Sequence, residues 1–145
     1  ASDGKYEVND EIKAMLNEEF CAGFCDDKQT KETINAIYNK YSYTCDTHTA
    51  VAVKVYDDYK SATGDTTKTI IASTASPYKF STAVLEAIDG KEINLDEYEM
   101  VDKLAELSKL PVPEALADLK DKLDRFNDVI DKSEQKDYVL KVLEI

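Results

Sequence analysis

Four residues, Cys21, Cys25, Cys45 and His48, carry the donor types that bind metal, and three hydroxyls within four positions, Ser73, Thr74 and Ser76, carry those that grip a polar ligand. The spacing Cys21-x3-Cys25 followed by Cys45-x2-His48 has a ligand count that would hold a tetrahedral zinc. Against it, the first pair is looser than the usual C-x2-C, and His48 falls where a helix begins, so the four groups need not converge. Free cysteine also packs as a small apolar residue. An odd number of cysteines, three, without an export signal fits reduced thiols better than a disulfide framework.

His48 is the only histidine, so any acid–base step that needs an imidazole falls there. Ser73, His48 and Asp46 can be written as a nucleophile triad, but no nucleophile-elbow pattern surrounds the serine. The stretch "STAS" offers other chemistry. Its small side chains let a flat ligand approach the backbone, and each hydroxyl can give or take a hydrogen bond. On local sequence alone the plainer use is structural, with Ser76 capping a helix and Thr74 satisfying a buried carbonyl. The thirty carboxylates offer no discriminating pair, because most fall on solvated helix faces.

What must position these residues is mainly helix. Asn9 or Asp10 caps a first helix carrying Ile12, Met15, Leu16 and Phe20, which stops at Cys21-Ala22-Gly23. Asp26 with Gln29 forms a capping box for a second, with Ile34, Ile37, Tyr38 and Tyr41 on one side, ending near Lys40. "YSYTC" reads as a short β-prone link. Asp46 caps a third helix whose Ala50, Val51, Val53, Val55 and Tyr56 are apolar on more than one face, the mark of burial. "DDYKSATGDTTK" reads as a polar turn, and "KTIIAS" as an interior parallel strand, since it lacks the alternation of a half-exposed one. After Pro77 comes a helix with Phe80, Val84, Ala87 and Ile88, stopped by Asp89-Gly90. Asn94 with Glu97 caps another, through Leu104 and Leu107. "PVPE" breaks it, a short helix carries Leu116, Leu119 and Leu123, "RFNDVI" reads as a possible strand, and a last helix runs from Ser133 through Tyr138 and Val142. The fold class is α/β and helix-rich, with two or three parallel strands under about six to seven helices. That inventory is awkward, because an interior parallel strand needs neighbours on both edges.

The chain of 145 residues suits one domain, residues 1–145. Its formal charge of −12 opposes a phosphate backbone, which argues against nucleic acid as a partner. The absence of a long apolar run, and of a cationic or apolar start in "ASDGKYEVND", argues against a membrane span or leader and for a cytoplasmic setting.

Two motifs in order, "FCAGFCDDKQTKETINAIYNKYSYTCDTHTAVAV" and "IIASTASPYKF", resemble the C-terminal third of threonine synthase, which has an Asp-Pro-His-Thr-Ala-Val segment and then a strand leading into Thr-Ala-His-Pro-Ala-Lys-Phe. The resemblance covers most of the chain. It implies a pyridoxal-phosphate enzyme of the tryptophan-synthase-β fold type, a lyase of threonine biosynthesis that converts O-phosphohomoserine and water to threonine and phosphate. It further implies that Thr74 meets the pyridine nitrogen of the cofactor, with His48, Thr49, Ser73 and Ser76 as candidates for lining the pocket. Thr47 stands in place of the family's proline, and Ser76 in place of its histidine. The family's Schiff-base lysine and its Gly/Ser-rich phosphate loop lie upstream and have no counterpart here. The chain therefore reads as a C-terminal part whose catalytic lysine and strand partners belong to an N-terminal portion, and which is inactive alone. The competing class is a non-catalytic, acidic, α-rich interaction module.

Overall fold

Local signals account for where most helices start and stop. The computed structural model describes residues 4–145, so the first three residues of the stretch read for a leader lie outside it. Helix α1 (Asp10–Glu19) is capped by Asn9, whose side chain accepts from the Ile12 N–H at 2.9 Å. Helix α2 (Asp27–Tyr41) opens with the full capping box, Asp26 accepting from Gln29 N–H and Gln29 from Asp26 N–H. Helix α3 (Thr47–Thr63) is capped by Asp46 and ends at Gly64, whose left-handed φ of 70° suits a residue without Cβ. A 3-10 turn (Pro77–Phe80) leads into α4 (Ser81–Asp89), which Gly90 terminates in the same left-handed manner. Helix α5 (Glu97–Ser108) follows.

The chain forms two compact units, one ending at Val112 and the other Pro113–Ile145. In the first, α2 packs against α3 and α4, and α4 against α5. Ile34, Ala50, Val84, Leu85 and Leu104, from those four helices, are fully enclosed. Removing a side chain such as Leu85 or Ile34 from water contributes about 1.5–3 kcal/mol. Polar bonds clamp the same seams. Lys31 Nζ reaches Glu86 at 2.6 Å, the Asn35 amide donates to Ala87 O at 2.8 Å, and Tyr38 donates to Leu107 O at 3.1 Å. The second unit holds α6 (Glu114–Ala117), 3-10 turns at Asp118–Asp121 and Lys132–Glu134, and α7 (Gln135–Val142), and none of its residues is buried.

Several expectations need correction. The cap of α5 is Asp96 with Glu99, two residues beyond the predicted pair. Asp96 accepts from Tyr98 and Glu99 N–H groups at 2.9 and 2.8 Å, and Asn94 stays outside the helix. Helix α3 runs through most of the predicted polar turn. Its Asp57–Lys60 turn is solvated but helix-compatible, and Lys54 pairs with Asp58 one turn on. Leu123 falls outside the short helix and is 93 % exposed. The apolar positions of α1 are not a core face: Ile12, Met15, Leu16 and Phe20 are all exposed.

The molecule is helix-rich, and no strand occurs among the described residues. "KTIIAS" and "RFNDVI" are irregular, as is "YSYTC" beyond Tyr41, which closes α2. A strand exists only through ladder bonds to a neighbour, and residues 68–75 make no backbone–backbone hydrogen bond among the described residues.

Candidate functional site

The N-terminus of α3 is built on one carboxylate. Asp46 is fully buried, and its Oδ1 accepts from the His48 N–H at 2.8 Å and more weakly from the Thr49 N–H at 3.4 Å. Its second oxygen accepts from the hydroxyl of Thr49, itself buried. Thr49 Oγ1 in turn lies 3.0 Å from Ser73 Oγ, joining the start of α3 to the connection that follows it. Three helix-terminal N–H and O–H donors thus converge on one charge, an arrangement favoured by the positive end of the helix dipole.

Thr49 and Ser73 line an open cleft of about 780 Å³, with Ile37 and Tyr41 from α2, Val53 from α3, and Ile71. Thr74 follows immediately. Its side chain is exposed, and its hydroxyl has no hydrogen-bond partner among the described residues. Ser76 is a cap, accepting from the Tyr78 N–H at 3.3 Å. Tyr78 is buried and donates to Leu110 O at 2.6 Å, which fixes the far end of the connection. Small side chains from 72 to 76 leave the backbone at Thr74 open to a flat ligand, so the donor set fits one edge of such a ligand.

His48 is placed apart. Its ring stands 3.3 Å from Asp46 Oδ1 and 4.9 Å from the Phe80 ring, and it lines a separate cavity of about 420 Å³ with Cys25, Thr30 and Val51. The paper triad of Ser73, His48 and Asp46 does not assemble, because Ser73 Oγ bonds Thr49 Oγ1 and not the His48 ring. The cysteines also diverge. Cys21 is exposed, Cys25 Sγ sits 3.3 Å from Thr30 Oγ1, and no group of three or more metal-binding side chains comes together among the described residues. Cys45 is buried, and burial, with the Asp46 charge adding to it, pushes its thiol up to about 11. That holds it as an inert thiol at neutral pH.

The role of Asp46 beyond capping escaped sequence reading. Its only local signal is the Asp-x-x-Thr spacing at a helix start; the bond to Ser73 crosses 24 positions.

A hydroxyl-bearing connection entering a helix at Pro77 and a capped helix start at Thr47 agree with the helical parts of the two sequence motifs, while the strand of the second is absent among the described residues. Residues 49–139 match the family model described as threonine synthase, C-terminal, and the chain belongs to that family. It is 32 % identical over 106 residues to threonine synthase-like 1 of Homo sapiens, covering 73 % of this chain and 14 % of that protein. To threonine synthase-like 1 of Mus musculus it is 32 % identical over 133 residues, 89 % of this chain and 17 % of the other. To a threonine synthase of Methylobacillus glycogenes it is 31 % identical over 90 residues, 61 % of this chain and 18 % of the other. The chain spans less than a fifth of the length of each of these relatives. No helix among the described residues is long and apolar enough to cross a membrane.

Proposed function

We propose that this chain is the C-terminal part of a pyridoxal-phosphate enzyme that converts O-phosphohomoserine and water to threonine and phosphate, and that it supplies one wall of the cofactor site. Thr74 meets the pyridine nitrogen of the ring, with Thr49 and Ser73 nearby in the cleft, while Ser76 caps the helix that follows and His48 lines a separate cavity. The observation that carries this reading is the state of Thr74: an exposed, unpartnered hydroxyl between small neighbours, inside the stretch that matches the family. When bound, the cofactor supplies an electron sink for carbanion chemistry. A hydroxyl partner, unlike a carboxylate, does not hold the ring nitrogen protonated, and so tempers that sink. Asp46 and Thr49 hold the connection that presents Thr74, and Tyr78 anchors its other end.

The lysine that bonds the cofactor and the groups that cradle its phosphate come from an upstream portion, which also supplies the strand neighbours of residues 68–73. Their unpaired backbone supports that reading, since both edges of this stretch are free to form a parallel ladder. Alone, the chain neither fixes the cofactor covalently at one site nor turns over substrate.

Mixing the chain with pyridoxal phosphate and reducing with borohydride tests this. The expected result is scattered, weak labelling of surface lysines. Strong, stoichiometric labelling of a single lysine would overturn the division of labour. A reading frame that continues upstream into a lysine-bearing cofactor domain supports the enzyme reading; one that does not leaves the acidic interaction module.

A further inference from the structure

Among the described residues, one hydrogen bond ties residues 68–75 to another element. Their backbone has no backbone partner among the described residues, and the Thr69 hydroxyl bonds only locally, to Thr67 O at 3.2 Å. Ser73 Oγ alone reaches another element, at Thr49. The polarity of that contact follows from proton counting. A hydroxyl has one proton and an ionised carboxylate has none, so the Thr49 proton goes to Asp46 and the Thr49 oxygen accepts the proton of Ser73. The bond to the carboxylate is charge-assisted and enclosed, with Asp46 fully buried and Thr49 6 % exposed, so water does not compete for it. On that polarity the Ser73 proton is spent on Thr49, and its oxygen is left to accept beside the cleft that Ser73 lines.

We propose that Thr49 is a positioning residue, oriented by Asp46, that latches the connection through Ser73 and thereby aims the neighbouring Thr74. Two adjacent hydroxyls then present opposite faces to a ligand: Ser73 accepts only, while Thr74 keeps its proton to donate. The proposal draws on the cofactor reading solely for what Thr74 meets; the latch belongs to this chain and is testable without any cofactor.

Backbone ¹⁵N relaxation of the full chain tests it, together with tryptic cleavage after Lys68. Thr49→Val keeps the shape of the buried side chain and deletes its hydroxyl, and Ser73→Ala makes the same cut from the exposed side, where refolding of α3 is not at stake. In both variants the order parameters of residues 69–74 are expected to fall from a rigid value near 0.85 to below about 0.6, with α3 unchanged and cleavage at Lys68 several-fold faster. Thr49→Ser restores the parent behaviour. The latch is overturned if both deletions leave residues 69–74 as ordered as before, or if Thr49→Val loosens α3 itself and Thr49→Ser fails to rescue. Neither readout depends on pyridoxal phosphate, so a failed latch and a failed cofactor assignment remain distinguishable.

Discussion

Gly23 shows how tightly one residue can constrain the first unit. A Cβ placed there would stand 2.8 Å from Val55 Cγ1, 3.2 Å from Cγ2 and 3.5 Å from Cβ, and a valine on a helix has little χ1 freedom with which to retreat. The loss of chain entropy on replacing glycine would favour alanine by under about 1 kcal/mol, and the overlap outweighs it. Gly23→Ala is therefore expected to lower stability by about 1–2 kcal/mol in urea unfolding. Combining it with Val55→Ala should cost less than the sum of the two single changes; strict additivity would show that the contact is not the cause. Residue-level chemistry at the site is legible to a similar depth. Asp46 as a cap, Ser76 as a cap and Thr74 as a candidate ligand contact are written locally, in side-chain types beside a helix start. The contact between Thr49 and Ser73 is not, because nothing within either residue's own turn points to the other.

Among elements, the seams of α4 carry the charge pairs. Glu86 is held below the usual carboxylate range, first by its bond to Lys31 and against the cost of burial, and Asp89 is held down by Lys103 at 3.0 Å. A carboxyl whose folded pKa lies below its unfolded value contributes stability that is fully present above the unfolded value, here 4.5 for glutamate and 3.8 for aspartate, and is lost as pH falls through the folded one. The melting temperature is expected to hold between about pH 5 and 8 and to drop as pH is lowered toward 3. Lys31→Met should flatten part of that drop. An identical acid profile in the variant would show that the pair between α2 and α4 contributes nothing, as many half-exposed pairs do. Caps and helix spacing located these helices from sequence, with errors at the start of α5, where two capping residues lie two positions apart, and at the end of α3, where a solvated but helix-compatible stretch reads as a turn.

For the molecule as a whole, the core belongs to the first unit. Among the described residues, every buried one lies between Thr30 and Leu104, and residues 113–145 bury none. A chain ending at Val112 is expected to unfold cooperatively with a midpoint within a few degrees of the parent in thermal melts followed by circular dichroism. A collapse of the midpoint would mean that the core is not self-contained. Large apolar side chains such as Phe24, Ile70, Leu123 and Val129, each at least 90 % exposed, face solvent on both units, more than an isolated soluble domain usually carries. They accord with a chain that spans under a fifth of its relatives' length. From the sequence alone came the capped helices, the acidic balance, the order of the two motifs and the hydroxyl at position 74, because these are properties of neighbouring residues or of the chain's composition. Only the tertiary structure decided that α1 has no core to face, that Ser73 is latched to Thr49 while His48 turns away, and that the stretch read as a strand has no ladder. Packing partners and strand neighbours lie far away along the chain, and a hydrogen bond between distant segments leaves no periodic trace in either one.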